Sequence, residues 1–463
     1  MNKTLFTVCI LLLSIQLVFA NDYDKAWEAL HRNDRKKATE FLQKALKDPA
    51  TAADAYVTLV YLNSFEGNEK TGNDFTEKII KPLKDANPYL YAMWFQTPVL
   101  GSYGKKEATS QLDLLSNIFQ NPNIHGSLKA AAHYVKGTHH LSANEFEKAL
   151  TEWKEVGSFI DWQFVGPFEN LSGTGFYKDH GPLAHPEKTA VFSGVNKAPI
   201  NWFTPAASNQ DAWKFISSHV LNKTAIVFAQ SFIYSPEDKE IMLNAGGSGS
   251  LKVWVNDALV VSESKEQVTE LDYYRGLTKL NKGYNRILVQ LGYTGNSTPN
   301  FIIRCTDANG NAIKGLKELS SPQPYTKAAS NAELKEIPHF AETYFQQKIK
   351  AQPANPVNYI LLTESLLRND RAFEARKVIE SVIKKFPDNS LLRYELIQCL
   401  SKTNNKTLLS QEIERLKEKD PTCLATFILN IQQLMNEEKY EEAEELHAKM
   451  DKLYKETSST IQT

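Results

Sequence analysis

The chain has 463 residues, of which 42% are hydrophobic and 23% charged, and its formal net charge is −1. This length exceeds what one hydrophobic core can serve, which favours two to four domains, and the ordinary composition excludes wholesale disorder. Because 53 basic residues are balanced by 54 acidic ones and no long Lys/Arg run occurs, nucleic acid is not an expected partner.

Residues 1–20 have the pattern of a secretory signal peptide. Lys3 precedes an apolar stretch, and Val18, Phe19 and Ala20 form a cleavage site before Asn21. We therefore expect a secreted or periplasmic protein without stable membrane insertion after cleavage. The alternative is an uncleaved anchor, although the stretch is short for spanning a bilayer.

Only Cys305, Cys399 and Cys423 follow the predicted cleavage site. An odd number argues against a disulfide framework, although a Cys399–Cys423 bridge remains open. No CxxC and no Cys/His cluster has the spacing of a metal site. The sequence therefore predicts no metal and no cofactor.

Residues 21–158 have a helical pattern with a drifting repeat. Pro88 and Pro122 are 34 residues apart, and residues 133–156 resemble a helix–turn–helix unit in which small residues let two helices approach. We expect a degenerate TPR-like helical domain over this range.

From residue 159 to residue 320 the hydrophobic period changes to two. The β-rich runs are residues 225–233, 251–255, 259–261, 286–291 and 300–305. Many short strands between turns predict an antiparallel sandwich or jelly roll rather than a parallel sheet. The glycine-rich run at 246–250 is interpreted as a flexible hairpin loop, because a strand and not a helix follows it.

Two segments of this range resemble the galactose-binding-like jelly rolls. KVWVNDALV at 252–260 predicts a hairpin that turns at Asn256 and Asp257, and LNKGYNRILV at 280–289 predicts a turn before a buried strand. Asp257 stands where that family usually has glycine. The resemblance implies the fold and no particular ligand, because these residues build turns.

The segment WQFVGPFEN at 162–170 resembles one in large secreted bacterial proteins that combine TPR repeats, this jelly roll and a transglutaminase-like domain. The order of parts matches the front of such proteins. The resemblance implies an accessory or truncated member rather than an enzyme, because Cys399 and Cys423 fall in repeat helices and no papain-like core follows.

Residues 336–455 carry a clearer repeat, after a predicted linker at 321–335 and before a tail at 456–463. Two series of residues are spaced by 34 positions: Pro353, Pro387 and Pro421, and Ala375, Leu409 and Ala443. This is the length of a TPR unit. Unrelated antiparallel helices with coincident prolines are the alternative interpretation.

Asp272, Tyr273, Tyr274 and Arg275 are the candidate ligand-binding residues. Adjacent side chains on a strand point to opposite faces, so we expect at least one of the two tyrosines to be exposed, as sugar stacking requires. Ordinary sandwich surface is the alternative. At 307–311 (DANGN) a hairpin turn is favoured over a calcium loop, because the distal Glu of an EF-hand is missing.

The predicted fold is multidomain α and β, with TPR-like α-helical solenoids flanking an antiparallel β-sandwich of the jelly-roll type. No Ser–His–Asp signature, GxSxG elbow or P-loop occurs, so no catalytic residue is assigned. The predicted function is a non-catalytic scaffold that binds partner proteins or peptides. The alternatives are a carbohydrate-binding accessory protein and, third, an accessory half of a transglutaminase- or peptidase-like enzyme.

Overall fold

The structure is a computed structural model, and it describes residues 21–67, 74–96, 107–205, 211–328, 337–403 and 405–454. The predicted signal peptide, the tail at 456–463 and the second half of the predicted linker lie outside these residues. Within the described segments, no helix combines the length and the hydrophobicity needed to traverse a bilayer.

Seven α-helices precede the sheet in these segments. They are α1 (Asp22–Leu30), α2 (Arg35–Ala45), α3 (Ala52–Phe65), α4 (Asn87–Ala92), α5 (Glu107–Gln120), α6 (Gly126–Ser142) and α7 (Phe146–Val156). The side chains of Asn21 and Asp34 cap α1 and α2 by accepting backbone N–H groups. Pro122 follows α5, but Pro88 lies in the first turn of α4, where its missing N–H costs nothing.

The β unit is built mainly of one nine-stranded antiparallel sheet, with β2 and β3 forming a separate hairpin. Its strands are β1 (Gln163–Phe168), β2 (Val191–Ser193), β3 (Pro199–Asn201), β4 (Lys214–Phe215), β5 (Ala225–Ser235), β6 (Lys239–Val255), β7 (Ala258–Val268), β8 (Tyr274–Leu280), β9 (Gly283–Tyr293), β10 (Asn300–Thr306) and β11 (Lys317–Leu319). The expectation of an antiparallel β unit between helical segments is confirmed. The jelly-roll assignment stays a prediction.

The long strand β6 explains why the sheet curls. Its first half pairs with β8 and β10, and its second half pairs with β7 and β9. The inner face then encloses an apolar core that includes Val227, Leu243, Val253, Val289 and Ile303. The predicted turn at Asn256 and Asp257 is confirmed, with φ angles of 51° and 68° between β6 and β7.

The glycine-rich run at 246–250 lies inside β6, so its interpretation as a flexible loop is wrong. Glycine is needed there because other backbone segments pass close to the strand. A Cβ at Gly246 would lie 2.4 Å from the carbonyl oxygen of Glu270, and one at Gly247 would lie 2.9 Å from that of Asn300.

The outer face of the sheet is covered by residues 169–203, which we call the cover segment. A second apolar core joins Phe228 and Trp254 of the sheet to Phe192 and Trp202 of the cover segment. Arg286 of β9, which is fully buried, donates to the carbonyl oxygens of Pro182 and Leu183 at 2.7 and 2.8 Å. The cover segment is therefore held by polar contacts as well as by apolar packing.

The C-terminal described helices are α8 (Phe340–Ala351), α9 (Pro356–Leu367), α10 (Ala372–Ile383), α11 (Ser390–Lys402), α12 (Lys406–Lys419), α13 (Leu424–Asn436) and α14 (Tyr440–Leu453). Helices α9, α11 and α13 begin 34 residues apart, at Pro356, Ser390 and Leu424. The spacing of these helices agrees with the predicted period. Their assignment to TPR repeats stays a prediction.

The helices before and after the sheet share one hydrophobic core. Phe65 of α3 packs edge-on against Tyr394 of α11 with ring centres 5.4 Å apart. Tyr89 of α4 packs against Phe345 of α8 in the same way at 5.5 Å. The two segments therefore flank the sheet along the chain but pack on each other in space.

Candidate functional site

The four candidate ligand-binding residues lie between β7 and the start of β8. Asp272 and Tyr273 are in the connecting turn, whereas Tyr274 and Arg275 begin β8. Asp272 has a φ of 62°, a left-handed conformation that Asp tolerates better than most residues. Helices from both ends of the chain contact this turn.

Asp272 belongs to a buried ionic network with Arg304 of β10. Its carboxylate pairs with the Arg304 guanidinium and accepts a hydrogen bond from Ser127 Oγ at 2.6 Å. Arg304 Nε donates to the carbonyl oxygen of Val156 at 2.7 Å. Because Ser127 lies in α6 and Val156 ends α7, this network fastens the α6–α7 pair to the sheet.

Tyr273 faces the C-terminal helices. Its hydroxyl accepts a hydrogen bond from Arg371 at 2.8 Å, and Arg371 also pairs with Glu342 of α8 at 2.7 Å. Burial raises the pKa of Tyr273 and that of Glu342. The Tyr274 ring lies 5.1 Å from the Tyr273 ring, and both residues are half-buried. The expectation that at least one of the two rings is freely exposed is therefore not met, and a ligand-binding role for these residues stays a prediction.

Arg368, at the C-terminal end of α9, connects all three parts of the protein. It donates to the carbonyl oxygen of Tyr91 in α4, and its guanidinium lies 4.1 Å from the centre of that ring. Its Nη2 is 3.0 Å from Glu270 Oε2 in the β7–β8 turn. We call the cluster around Asp272, Arg304, Arg368 and Arg371 the three-way junction.

Two histidines of the junction cap helices in the same manner. His125 Nδ1 accepts the backbone N–H of Ser127 at the start of α6, and His339 Nδ1 accepts that of Ala341 at the start of α8. Burial, with nearby arginines including Arg275, lowers the pKa of His125 to about 4 and that of His339 well below its usual value. A neutral ring keeps the lone pair that capping requires.

The junction is suited to holding parts together. Its carboxylates Asp272, Glu270 and Glu342 each face an arginine. The sequence reasoning missed the arginine partners and both histidines. Arg304 alone carried a local signal, because a cation within the apolar strand β10 needs a buried partner.

The turn after β10 is a hairpin turn. Asp307 Oδ1 accepts the backbone N–H groups of Asn309 and Asn311, both at 2.9 Å, and Gly310 has a φ of 78°. The carboxylate is thus occupied by its own loop, as the hairpin interpretation predicts. Over the described part of the chain, no group of three or more His, Cys, Asp or Glu side chains is arranged to hold a metal ion.

The three cysteines after residue 20 are free thiols, and all are buried. The bridge left open between Cys399 and Cys423 is therefore not formed. Burial raises the pKa of Cys305 to about 12 and that of Cys423 to about 11. These thiols stay protonated at neutral pH, which makes them poor nucleophiles.

A groove of about 390 Å³ with a mixed apolar and acidic lining lies on α13 and α14. Its lining residues are Ile431, Met435, Tyr440, Ala443, Glu444, His447, Ala448 and Asp451. Met435 is 48% exposed and Tyr440 is 57% exposed. Sequence analysis used Ala443 only as a member of the series spaced by 34 positions, so it did not find this groove.

The cover segment presents one prominent aromatic side chain. Tyr177 is 75% exposed, whereas the neighbouring Phe176 is buried under the ammonium of Lys252, 4.3 Å from its ring centre. The Phe176 carbonyl oxygen also accepts a hydrogen bond from Lys252 Nζ at 2.7 Å. These contacts fix the backbone next to Tyr177.

No protein-family model and no curated protein sequence matches the chain. Two crystal structures of β-glucosidase from Kluyveromyces marxianus are similar to part of it, one selenomethionine-labelled and one in complex with glucose. The identities are 15% and 14%, the TM-scores are 0.20 and 0.21, and the matches cover 25% and 32% of this chain. They cover 15% and 16% of the enzymes, so the chain spans only a small part of their length.

Proposed function

We propose that this protein is a non-catalytic scaffold, exported to the periplasm or secreted, that binds a partner protein or peptide through TPR-like helical repeats. The observation that carries the proposal is the exposed apolar lining of the groove on α13 and α14. Large apolar side chains that are grouped in one groove and exposed, as Met435 and Tyr440 are, are typical of a binding surface.

The rigidity of the molecule supports a scaffolding role. One hydrophobic core joins the two helical segments, and the three-way junction fixes them to the β unit. A binding surface on a rigid body loses little conformational entropy when a partner docks. The buried, protonated thiols further support a role without thiol catalysis.

Affinity capture of the tagged full chain from the cell envelope, followed by reconstitution with the purified partner, tests the proposal. We expect a saturable complex between the two purified proteins. N-terminal sequencing of the exported protein should give Asn21 as its first residue. Repeated capture in which no protein exceeds the tag-only control would contradict the scaffold function.

Carbohydrate binding by the β unit is the second candidate function, and Tyr177 is the observation that favours it. An exposed aromatic ring on a fixed backbone is the kind of group on which a sugar can stack. A glycan array with the full chain should then give binding that Tyr177→Ala removes and the control Phe373→Ala, at another exposed aromatic residue, retains. A signal that survives Tyr177→Ala would place sugar binding elsewhere, and no signal would eliminate this candidate.

A further inference from the structure

The groove on α13 and α14 has an internal counterpart 68 residues earlier, which is two repeat lengths. Helices α9 and α10 begin 68 residues before α13 and α14. Six of the eight lining residues correspond to Thr363, Leu367, Ala372, Ala375, Ile379 and Ile383, which are all buried, whereas Glu444 and Ala448 correspond to Arg376 and Glu380, which are partly exposed. Helix α11 packs against both α9 and α10. The equivalent surface within this chain is therefore covered by a helix.

The groove has the length and floor that a helix requires. Tyr440, His447 and Asp451 lie along one side of α14, and the eleven residue steps from Tyr440 to Asp451 correspond to about 16 Å of helix. Ala443 and Ala448 give this side a small-residue floor. A helix can approach such a floor closely and place its own apolar side chains beside Met435 and Tyr440.

The polar residues of the groove indicate the charge of its occupant. His447 and Asp451 stand at the positions of Ile379 and Ile383, and His447 Nδ1 lies 3.2 Å from Asp451 Oδ2. Glu444 adds a second carboxylate to the lining, and no lysine or arginine lines the groove. A docked helix with lysine or arginine at its edge would complement these two carboxylates.

We propose that the groove on α13 and α14 binds a basic amphipathic helix of a partner protein. Apolar residues of that helix pack on Met435 and Tyr440, and its basic residues face Glu444 and Asp451. This inference deepens the scaffold function proposed above and rests on it. In this mode of recognition a helix lies in the groove and contacts it through side chains that are about one helical turn apart.

The probe is a peptide with the sequence of α11, because α11 covers the equivalent surface. The basic form is residues 390–402 with Glu395→Lys and Cys399→Ser, and the matched acidic form carries Arg393→Glu, Lys402→Glu and Cys399→Ser. Fluorescence anisotropy with the full mature chain should show that the basic peptide binds at least about tenfold more tightly than the acidic one. Equal binding of the two peptides, or no saturable binding of either, would overturn the proposal.

Variants locate the bound peptide. Met435→Asp and Glu444→Lys should each weaken binding of the basic peptide about tenfold or more. Leu453→Asp is the matched control, because Leu453 is an equally exposed apolar residue of α14 outside the groove, and it should change the affinity less than about twofold. If Met435→Asp fails to fold by circular dichroism, Glu444→Lys alone decides, because its side chain is exposed. Groove variants that bind like the wild type refute the assignment.

Two further outcomes separate this inference from the scaffold function. A concentration-dependent dimer in sedimentation velocity that Met435→Asp abolishes would make a second copy the occupant and refute a partner helix. A natural partner captured equally by the wild type and by Met435→Asp would refute the groove and leave the scaffold function intact. If neither chain captures a partner, the scaffold function itself fails.

Discussion

The Arg304 guanidinium and the Asp272 carboxylate are both almost completely buried, so each charge depends on the other for its stability. Desolvating two ions is costly, and their mutual attraction offsets this cost only while both are present. Asp272→Asn removes one charge and leaves the buried Arg304 cation without its counter-ion. We expect the free energy of unfolding to fall by about 3–5 kcal/mol, measured by chemical denaturation.

Asp238→Asn is the control for this prediction, because Asp238 forms an exposed ion pair with Lys279. Exposed pairs contribute little, so this variant should unfold at the same denaturant concentration as the wild type. An Asp272→Asn protein as stable as the control would show that the Arg304 charge is compensated by its backbone contacts alone.

The Glu395 carboxyl of α11 is buried beside Glu364 of α9, and burial, together with this neighbour, raises its pKa well above the usual value. The folded protein therefore retains a proton that the unfolded chain releases above its ordinary pKa of about 4.3. The stability contributed by the protonated group is present below that pH and is lost as the pH rises through the folded-state pKa.

Glu395→Gln keeps the shape of the protonated carboxyl and cannot ionise. We expect the variant to be more stable than the wild type at pH 8 and close to it at pH 4, measured as unfolding free energies at both pH values. An equal effect at the two pH values would show that ionisation of Glu395 does not control stability.

The starts of α6 and α8 depend on neutral histidine rings. Protonation of His339 would remove the acceptor for the Ala341 N–H and place a positive charge at a helix N-terminus, which the helix dipole disfavours. Its pKa is lowered on folding, so the stability it contributes is present above about pH 6.5 and is lost as the pH falls toward the folded-state value.

His339→Asn retains a capping oxygen and removes the titrating ring. Between pH 7 and pH 5, we expect the slope of the unfolding free energy against pH to be smaller in this variant than in the wild type, by up to about 1.4 kcal/mol per pH unit. His339→Ala should show the same reduced slope and lose about 1 kcal/mol more at pH 8, because the cap is absent. A slope identical to that of the wild type would exclude His339 as a cause of acid destabilisation.

The turn between β6 and β7 anchors the segment that leaves the sheet. Asp257 accepts a hydrogen bond from the Tyr325 hydroxyl at 2.9 Å, and the Ala328 N–H donates to the Asn256 carbonyl oxygen at 2.8 Å. Asp257→Gly would remove the strain of a positive φ at this residue, but it would also remove the acceptor of the Tyr325 hydrogen bond. We therefore expect faster hydrogen exchange at the Ala328 amide in this variant.

Tyr325→Phe is the matched variant, because it removes the same hydrogen bond without changing the turn. It should also accelerate exchange at Ala328. If only Asp257→Gly accelerates exchange, the conformation of the turn, and not the hydrogen bond between Asp257 and Tyr325, protects the Ala328 amide.

Local patterns predicted the elements well and failed where distant backbone approaches decide the structure. The runs at 225–233 and 300–305 are parts of β5 and β10, and the turn at Asn256 and Asp257 forms as expected. The glycines within 246–250 were interpreted as a loop. They are required because the β7–β8 turn and β10 pass close to β6, and the local sequence does not show these approaches. At least one of Tyr273 and Tyr274 was expected to be exposed, but both are half-buried, because Arg371, 98 positions further along the chain, contacts Tyr273.

At the scale of the whole molecule, the period of 34 predicted helix spacing and not which helices would meet. The contact between Tyr91 and Arg368 joins residues 277 positions apart, and no periodicity encodes that pairing. A sequence pattern shows that a helix has an apolar face, but several faces compete to cover it. The shared helical core and the three-way junction could therefore be found only in the structure.

The shared core leads to a prediction about the chain cut after residue 328. Helices α3 and α4 bury their aromatic residues against α8, α9 and α11, so residues 21–328 alone would expose that surface to water. The β unit encloses separate apolar cores and keeps α6 and α7 through Arg304 and Asp272. We expect hydrogen exchange in the cut chain to lose protection in α1–α4 and to keep it in β5, β6 and β9.

Adding residues 337–454 as a separate chain should restore protection of α3 and α4, because the missing half of the core is then supplied. The full chain measured under the same conditions is the reference. If α3 and α4 remain protected in residues 21–328 without this addition, the N-terminal helices fold as an independent domain. The contacts with α8, α9 and α11 would then be a docking interface between two finished units, and the molecule would be less rigid than the scaffold function requires.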